Sequence, residues 1–322
     1  MDKIIFFKYL FIIMEDTEKL NLFNKENNTK IELRTKNISL SNISLKNEFS
    51  LKNLFSISFP DLISITLNNI SLTNLSFLSS NNFPLLKFLF LDRNNLINLE
   101  GISLLNSKNL EELSFSNNKI ESIDELAKAD FPKLKKLDLS RNNINSIDIL
   151  SKVNLDNLEY IYLDNNNIAL IEGLCLGKFN KIKSINLSAN KIKNIDILEK
   201  GNFPELQGIY FVENDIENID ILSKVNFNKL IYLSLNGNKI KNIDIFSEVK
   251  FINLQRLDLE FNQIDNIEIF LKAPFINLIH LGLRNNNINE KDENVIKIVE
   301  KIKNKYKDID LVISQPKSGP LL

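Results

Sequence analysis

The chain repeats itself every 24 residues without an insertion or deletion. Aligned on the pattern L-x-x-L-x-L-x-x-N-x-I, the first position falls at Leu62, Leu86, Leu110, Leu134, Leu158, Ile182, Leu206, Leu230, Leu254 and Leu278. An unbroken period of about 20–50 residues marks an array of one supersecondary unit, in which each copy packs only on its neighbours. At 322 residues the chain exceeds an ordinary single-core domain, and an array is exempt from that limit.

Each position in the period has a physical role. Leu137-Asp138-Leu139 alternates apolar and polar, as a short strand with one buried face does. It and its nine counterparts stack as parallel strands about 4.8 Å apart, some 45 Å in all. At the ninth position stand Asn94, Asn118, Asn142, Asn166, Asn190, Asn214, Asn238, Asn262 and Asn286, where the chain leaves the strand. Backbone groups lose their ladder partners there, and an amide side chain offers both donors and an acceptor. The first copy carries Ile70 instead, as a terminal coil does. Ile144, Ile147, Ile149 and Leu150, with their equivalents, are expected inside the coil. Short helical or irregular outer segments follow, such as residues 151–154 and 223–226. Asp124, Asp148, Asp196, Asp220 and Asp244 are expected to cap these outer turns. Phe83, Phe131, Phe179, Phe203, Phe227, Phe251 and Phe275 close their coils and should stack into a spine, with Ser107 and Leu155 in two gaps. Pro60, Pro84, Pro132 and Pro204 fix the turn that follows.

This template resembles the leucine-rich-repeat superfamily over residues 59–290. The resemblance implies an α/β repeat solenoid, a horseshoe with a parallel concave β-sheet and short helical or irregular convex segments. The Ile-x-x-Ile continuation is similar to repeats of intracellular regulatory members, including the leucine-rich regulatory subunit of protein phosphatase 1. It implies a non-catalytic scaffold or regulatory subunit.

Solenoids need caps at both ends. Residues 1–58 form an N-terminal segment and a degenerate capping coil, because residues 38–45 echo residues 65–72 at an offset of 27. Residues 59–290 hold the ten repeats. Residues 291–314 read as a helix-strand cap: Val295, Ile296, Ile298, Val299 and Ile302 fit one helix face, and Ile309, Leu311 and Ile313 then alternate. Residues 315–322 are expected as a loose tail, and polar residues 15–30 as a loose segment. Residues 4–14 are apolar except for Lys8, too few to span a bilayer. They read as a cap strand or helix, as an extension upstream of a start at Met14, or as a signal or anchor.

No chemistry stands out. Neither Gly-x-Gly-x-x-Gly nor Gly-x-x-x-x-Gly-Lys occurs, and His280 is the one histidine, so no His-based metal site or second catalytic histidine is available. Cys175 is the one cysteine, placed on the outer face where other coils carry Ser, Glu or Ala. A single thiol cannot staple the ends, which favours a reducing, cytoplasmic compartment. No enzyme activity, cofactor or metal is expected. A net charge of −1 gives no basic field for nucleic acid.

Binding would fall on the concave face, where residues flanking the inward leucines point outward. The third and fifth positions hold Phe88, Phe90, Tyr160, Tyr162, Tyr210, Tyr232, Arg256 and His280, with Phe261 at the rim. Exposed aromatics with arginine make interface hot spots. Charges are mixed, with Lys135, Lys136 and Arg141 beside Asp138, and Asp258 and Glu260 flanking Arg256. That mixture suits a protein or peptide partner rather than a polyanion or a membrane. The expected protein is a cytoplasmic monomer. The alternative is a secreted or membrane-anchored recognition protein that uses residues 1–14 as signal or anchor.

Overall fold

The computed structural model describes residues 3–43, 49–80 and 83–313. The expected tail lies outside these residues. The chain divides into two compact units, residues 1–144 with 153–155, and residues 145–152 with 156–322.

The first unit begins with helix α1, Lys3–Asn27. Residues 15–27 are therefore helical, not the loose segment expected. Their hold is local: Leu20 and Phe23 are buried, and the Asp16 carboxylate accepts from Ser58 N at 3.2 Å. Past the helix, the Asn24 amide bonds both the N–H (2.9 Å) and the carbonyl (2.8 Å) of Ile31, pinning the return of the chain. Phe11, Ile12 and Met14 remain exposed. No helix among the described residues is long and apolar enough to cross a membrane.

Strand β1 (Asn37–Ser39) follows, then helix α2 (Phe49–Leu54), β2 (Ser64–Thr66), β3 (Phe88–Phe90), β4 (Glu112–Ser114) and β5 (Lys136–Asp138). These strands pair in parallel and in chain order, with Ile65 beside Leu89 and Leu89 beside Leu113. Ile38 pairs with Ile65, so the degenerate coil keeps its offset of 27.

The second unit continues with β6 (Tyr160–Tyr162), the short helix α3 (Glu172–Cys175), β7 (Ser184–Asn186), β8 (Gly208–Tyr210), β9 (Tyr232–Ser234), β10 (Arg256–Asp258) and β11 (His280–Gly282). Helix α4 (Glu293–Lys305) and strand β12 (Asp310–Val312) end it, with β12 pairing parallel to β11. The cap is bonded to the coil beneath. Lys305 Nζ donates to the carbonyls of Phe270 (3.1 Å), Leu271 (3.1 Å) and Ala273 (2.6 Å), and Tyr306 Oη to Phe270 O at 2.8 Å. Those carbonyls end a short 3-10 turn and lack helical partners, so the side chains satisfy them.

The ninth-position asparagines hold the coils together. Asn238 is buried. Its Oδ1 accepts from Ile216 N at 3.0 Å, while Nδ2 donates to Phe211 O at 2.8 Å in the previous coil and Leu235 O at 3.0 Å in its own. Asn94, Asn118, Asn190, Asn214, Asn262 and Asn286 repeat the donor pattern. One residue earlier the backbone is left-handed in every coil from Asn69 to Asn285. Gly237 takes that conformation freely, whereas Phe261 holds it with a φ of 55°.

Closing phenylalanines of the second unit line up, Phe203 tilted against Phe227 at 6.3 Å and Phe227 stacked on Phe251 at 6.1 Å between centroids. A second file, Phe246 on Phe270 at 6.1 Å, runs beside it. In the first unit, where serine replaces the closing phenylalanine, buried Ser107 donates from Oγ to Phe83 O at 3.0 Å.

Two further expectations fail. The outer acids do not cap their turns; the side chain two residues earlier does. Ser122 Oγ accepts from Asp124 N (3.1 Å), Asn194 Oδ1 from Asp196 N (2.6 Å) and Asn218 Oδ1 from Asp220 N (2.7 Å). A residue at the start of a helical turn points its side chain away from the free N–H groups, whereas one just outside can fold back to them. Cys175 is buried instead of lying on the surface. Its coil carries the α-helical turn α3 where most others have a 3-10 turn. Gly173 permits this, since a Cβ there would fall 1.9 Å from Ile147 O. Burial pushes the Cys175 thiol up to about 12, with the Glu172 charge adding to it.

Candidate protein-interaction face

In β8 to β11 the middle residues Ile209, Leu233, Leu257 and Leu281 are buried. Their flanking residues therefore point to the open face of the sheet. Strand register sets those residues side by side: Gly208 beside Tyr232, Tyr232 beside Arg256, and Arg256 beside His280.

From this register a connected group arises. The rings of Tyr210 and Tyr232 lie 5.0 Å apart at 30°. The Arg256 guanidinium sits 5.5 Å from the Tyr232 ring centre. Tyr210 can lean this way because residue 208 is glycine; a Cβ there would meet the Tyr210 ring and hydroxyl at 3.1 Å. Glycine inside a strand commonly marks such a close approach.

The other side of Tyr232 is fixed by hydrogen bonds. Its hydroxyl donates to Asp258. The second Asp258 oxygen lies 2.9 Å from His280 Nε2, and His280 Nδ1 lies 2.7 Å from Asp310 Oδ2. The Asp258 side chain is only 8% exposed, so its two partners are what make its burial tolerable. Gly282 leaves the room: a Cβ there would fall 3.1 Å from Asp258 Oδ1. Burial, the bond to Asp258 and its charge push the Tyr232 hydroxyl up to about 12. Burial also raises Tyr210, followed by the nearby Tyr162 and Asp258.

Tyr160 and Tyr162 stand half-buried on the same face, in register with Ser184 and Asn186 of β7. Lys183 pairs with Glu159 at 2.7 Å and Arg284 with Glu260 at 3.8 Å. Arg256 has no carboxylate within ion-pair distance among the described residues. Phe261, in its left-handed turn, is 56% exposed.

In the first unit Phe88 and Phe90 form a separate aromatic pair, with ring centres 6.4 Å apart at 10°. Nearby coils add Asp92, which accepts from Ser114 Oγ and from Ser116 N at 2.9 Å. Burial raises the Asp92 carboxyl despite those bonds, and the Asp138 charge raises it further.

The structure thus joins Tyr210, Tyr232, Arg256 and His280 into one group, with Tyr160 and Tyr162 on the same sheet face. Asp310, Gly208 and Gly282 are parts of that group that sequence reasoning missed, and Asp258 is its anchor rather than a mere flanking charge. The two glycines carried a signal, since strand interiors seldom hold glycine without reason. Asp310 carried none, because it follows His280 by 30 residues and lies off the period.

Residues 108–152 and 228–272 match the family model "Leucine Rich repeats (2 copies)", and residues 132–192 match "Leucine rich repeat". No curated protein sequence matches the chain. An internalin (inlF) from Listeria monocytogenes is similar in structure, with a TM-score of 0.66 and 19% identity over 93% of this chain and 88% of its own. Internalin C2 (inlC2) from the same organism has a TM-score of 0.53 and 22% identity over 66% of this chain and 90% of its own. The leucine-rich-repeat ectodomain of the plant membrane receptor kinase GASSHO1/SCHENGEN3 from Arabidopsis thaliana, solved with CASPARIAN STRIP INTEGRITY FACTOR 2, gives 0.59 and 19% over 79% of this chain and 30% of its own. At these identities the likeness is one of fold. Together with the ladder of asparagines and the family matches, it establishes that the 24-residue units of this chain are leucine-rich repeats.

Proposed function

We propose that this protein is a non-catalytic scaffold that binds a protein or peptide through the open sheet face of β6 to β11. One observation carries the reading. Tyr210, Tyr232 and Arg256 form a stacked row on positions that the repeat leaves free, and the Asp258–His280–Asp310 chain holds that row from one side. A row so fixed loses little side-chain freedom on binding, which is what makes aromatic and arginine anchors effective. The plant receptor ectodomain of the same fold was solved with its factor bound. Mixed charge on the face and a net charge of −1 favour a protein over a nucleic acid. His280 spends both ring nitrogens on carboxylates, not on a nucleophile. The single buried thiol supports a reducing compartment, where a regulatory subunit acting as a monomer would work.

The test is affinity capture from the source cell with wild type and with Tyr160→Ala/Tyr162→Ala/Tyr210→Ala. Tyr232 is kept, because removing it would strand Asp258. Partners held by wild type and lost by the variant support the reading; equal capture by both contradicts it. The exposed Phe11, Ile12 and Met14 on α1 favour a second reading, a secreted or anchored form. Fractionation with N-terminal sequencing separates the two.

A further inference from the structure

We infer that the partner presents a carboxylate, from an acidic side chain or a chain terminus, to Arg256, beside an apolar or aromatic residue that lies on the tyrosine row. This rests on the open face being the binding face.

One charge on this face is left unmatched. On the open face and its flank in the second unit, the other cations have carboxylates at hand: Lys183 has Glu159, Arg284 has Glu260, and His280 has Asp258 and Asp310. Arg256 does not, although Asp258 is two residues away on its own strand. The reason is geometric. Asp258 is turned toward the Tyr232 hydroxyl and His280 Nε2, and both its oxygens are taken. The tyrosine ring at 5.5 Å holds the guanidinium instead. The contact with Tyr232, ring and hydroxyl, engages an uncharged partner and only part of the guanidinium, whose remaining N–H donors suit a carboxylate. Arg256 is also exposed. The site is therefore an exposed, oriented guanidinium next to a half-buried aromatic surface, with its own acid sequestered. Asp258, the acid on the same strand, is buried and already bonded, so it offers a basic ligand nothing.

A random peptide library displayed on phage is selected on the wild-type protein, and enriched peptides are made synthetically. The expected binders carry Asp, Glu or a required free terminus next to an apolar or aromatic residue, and lose affinity on the triple tyrosine variant. Changing that acid to its amide should weaken binding to wild type by roughly tenfold or more and change binding to Arg256→Gln little. Arg256→Lys should recover only part of the loss, because the fork is gone. Three results would overturn the inference: tyrosine-dependent binders with no carboxylate, tyrosine-dependent binders enriched in basic residues, or the same loss on both proteins when the acid is changed. In each of these the tyrosine dependence leaves the binding face itself standing. Binders indifferent to the tyrosine variant overturn the face and the carboxylate together.

Discussion

Along β8 to β11 the inward residues are Ile209, Leu233, Leu257 and Leu281, interchangeable in kind and all buried. The outward pairs on the same strands are Gly208 and Tyr210, Tyr232 and Ser234, Arg256 and Asp258, His280 and Gly282, no two alike. Both sets share one backbone and one register. Stacking identical coils requires the inward side to repeat, since each leucine must meet the one before it. Nothing in that requirement reaches the outward side. Its variety is therefore where recognition can be written, although it is not unconstrained: Asp258 and the two glycines bind the outward residues into their own network.

Perturbing the inward side should give the largest effects on stability. Leu257→Ala removes a fully buried side chain and is expected to destabilise the second unit by about 2–5 kcal/mol in denaturant titration. A loss below about 1 kcal/mol would mean the coil interior is not packed as described. Asn238→Ala leaves Ile216 N without its acceptor and removes one of the two amide donors on each of Phe211 O and Leu235 O, which keep Asn214 Nδ2 and Asn262 Nδ2. Stranding a buried polar group costs about 1–3 kcal/mol, so a loss of that size or larger is expected by the same measurement.

Alkaline titration sharpens the contrast at Tyr232, which belongs to both sides of it. The folded state holds its proton up to about 12, against an ordinary value near 10. Above pH 10 the unfolded chain ionises first, so the stability from this group is present below pH 10 and lost as pH rises through 12. Tyr306 and Cys175, also raised to about 12 by burial, add to the same fall. Tyr232→Phe should therefore lose stability less steeply over that window; an unchanged slope would show that Tyr232 is not held as described. The smallest effect is expected at a half-buried side chain of the open face. Tyr162→Ala should change stability by no more than about 0.5 kcal/mol in the same titration while weakening the partner.

How far the sequence could be read follows from the same division. Most of what is tied to the period was legible: the strand positions, the asparagine ladder, the phenylalanine spine, and the change of pattern that announced α4 and β12. Features that leave the period were not. Asp310 reaches His280 from the cap. Cys175 turns inward because Gly173 lets one outer turn wind as an α-helix against Ile147. The outer acids looked like caps because they recur, whereas the residues that do cap are serine at 122 and 146 and asparagine at 194, 218 and 242. On the open face, the columns named the right side chains, but only geometry showed which of them touch.

The central claim is that a protein partner sits on the open face of the second unit. A photo-crosslinking amino acid placed at position 162, on that face, and separately at position 193, exposed beyond the strand, tests it in the source cell. The account predicts a defined crosslinked partner from position 162 and none from position 193. Crosslinking to the same partner from position 193 alone, or equally from both, would contradict it.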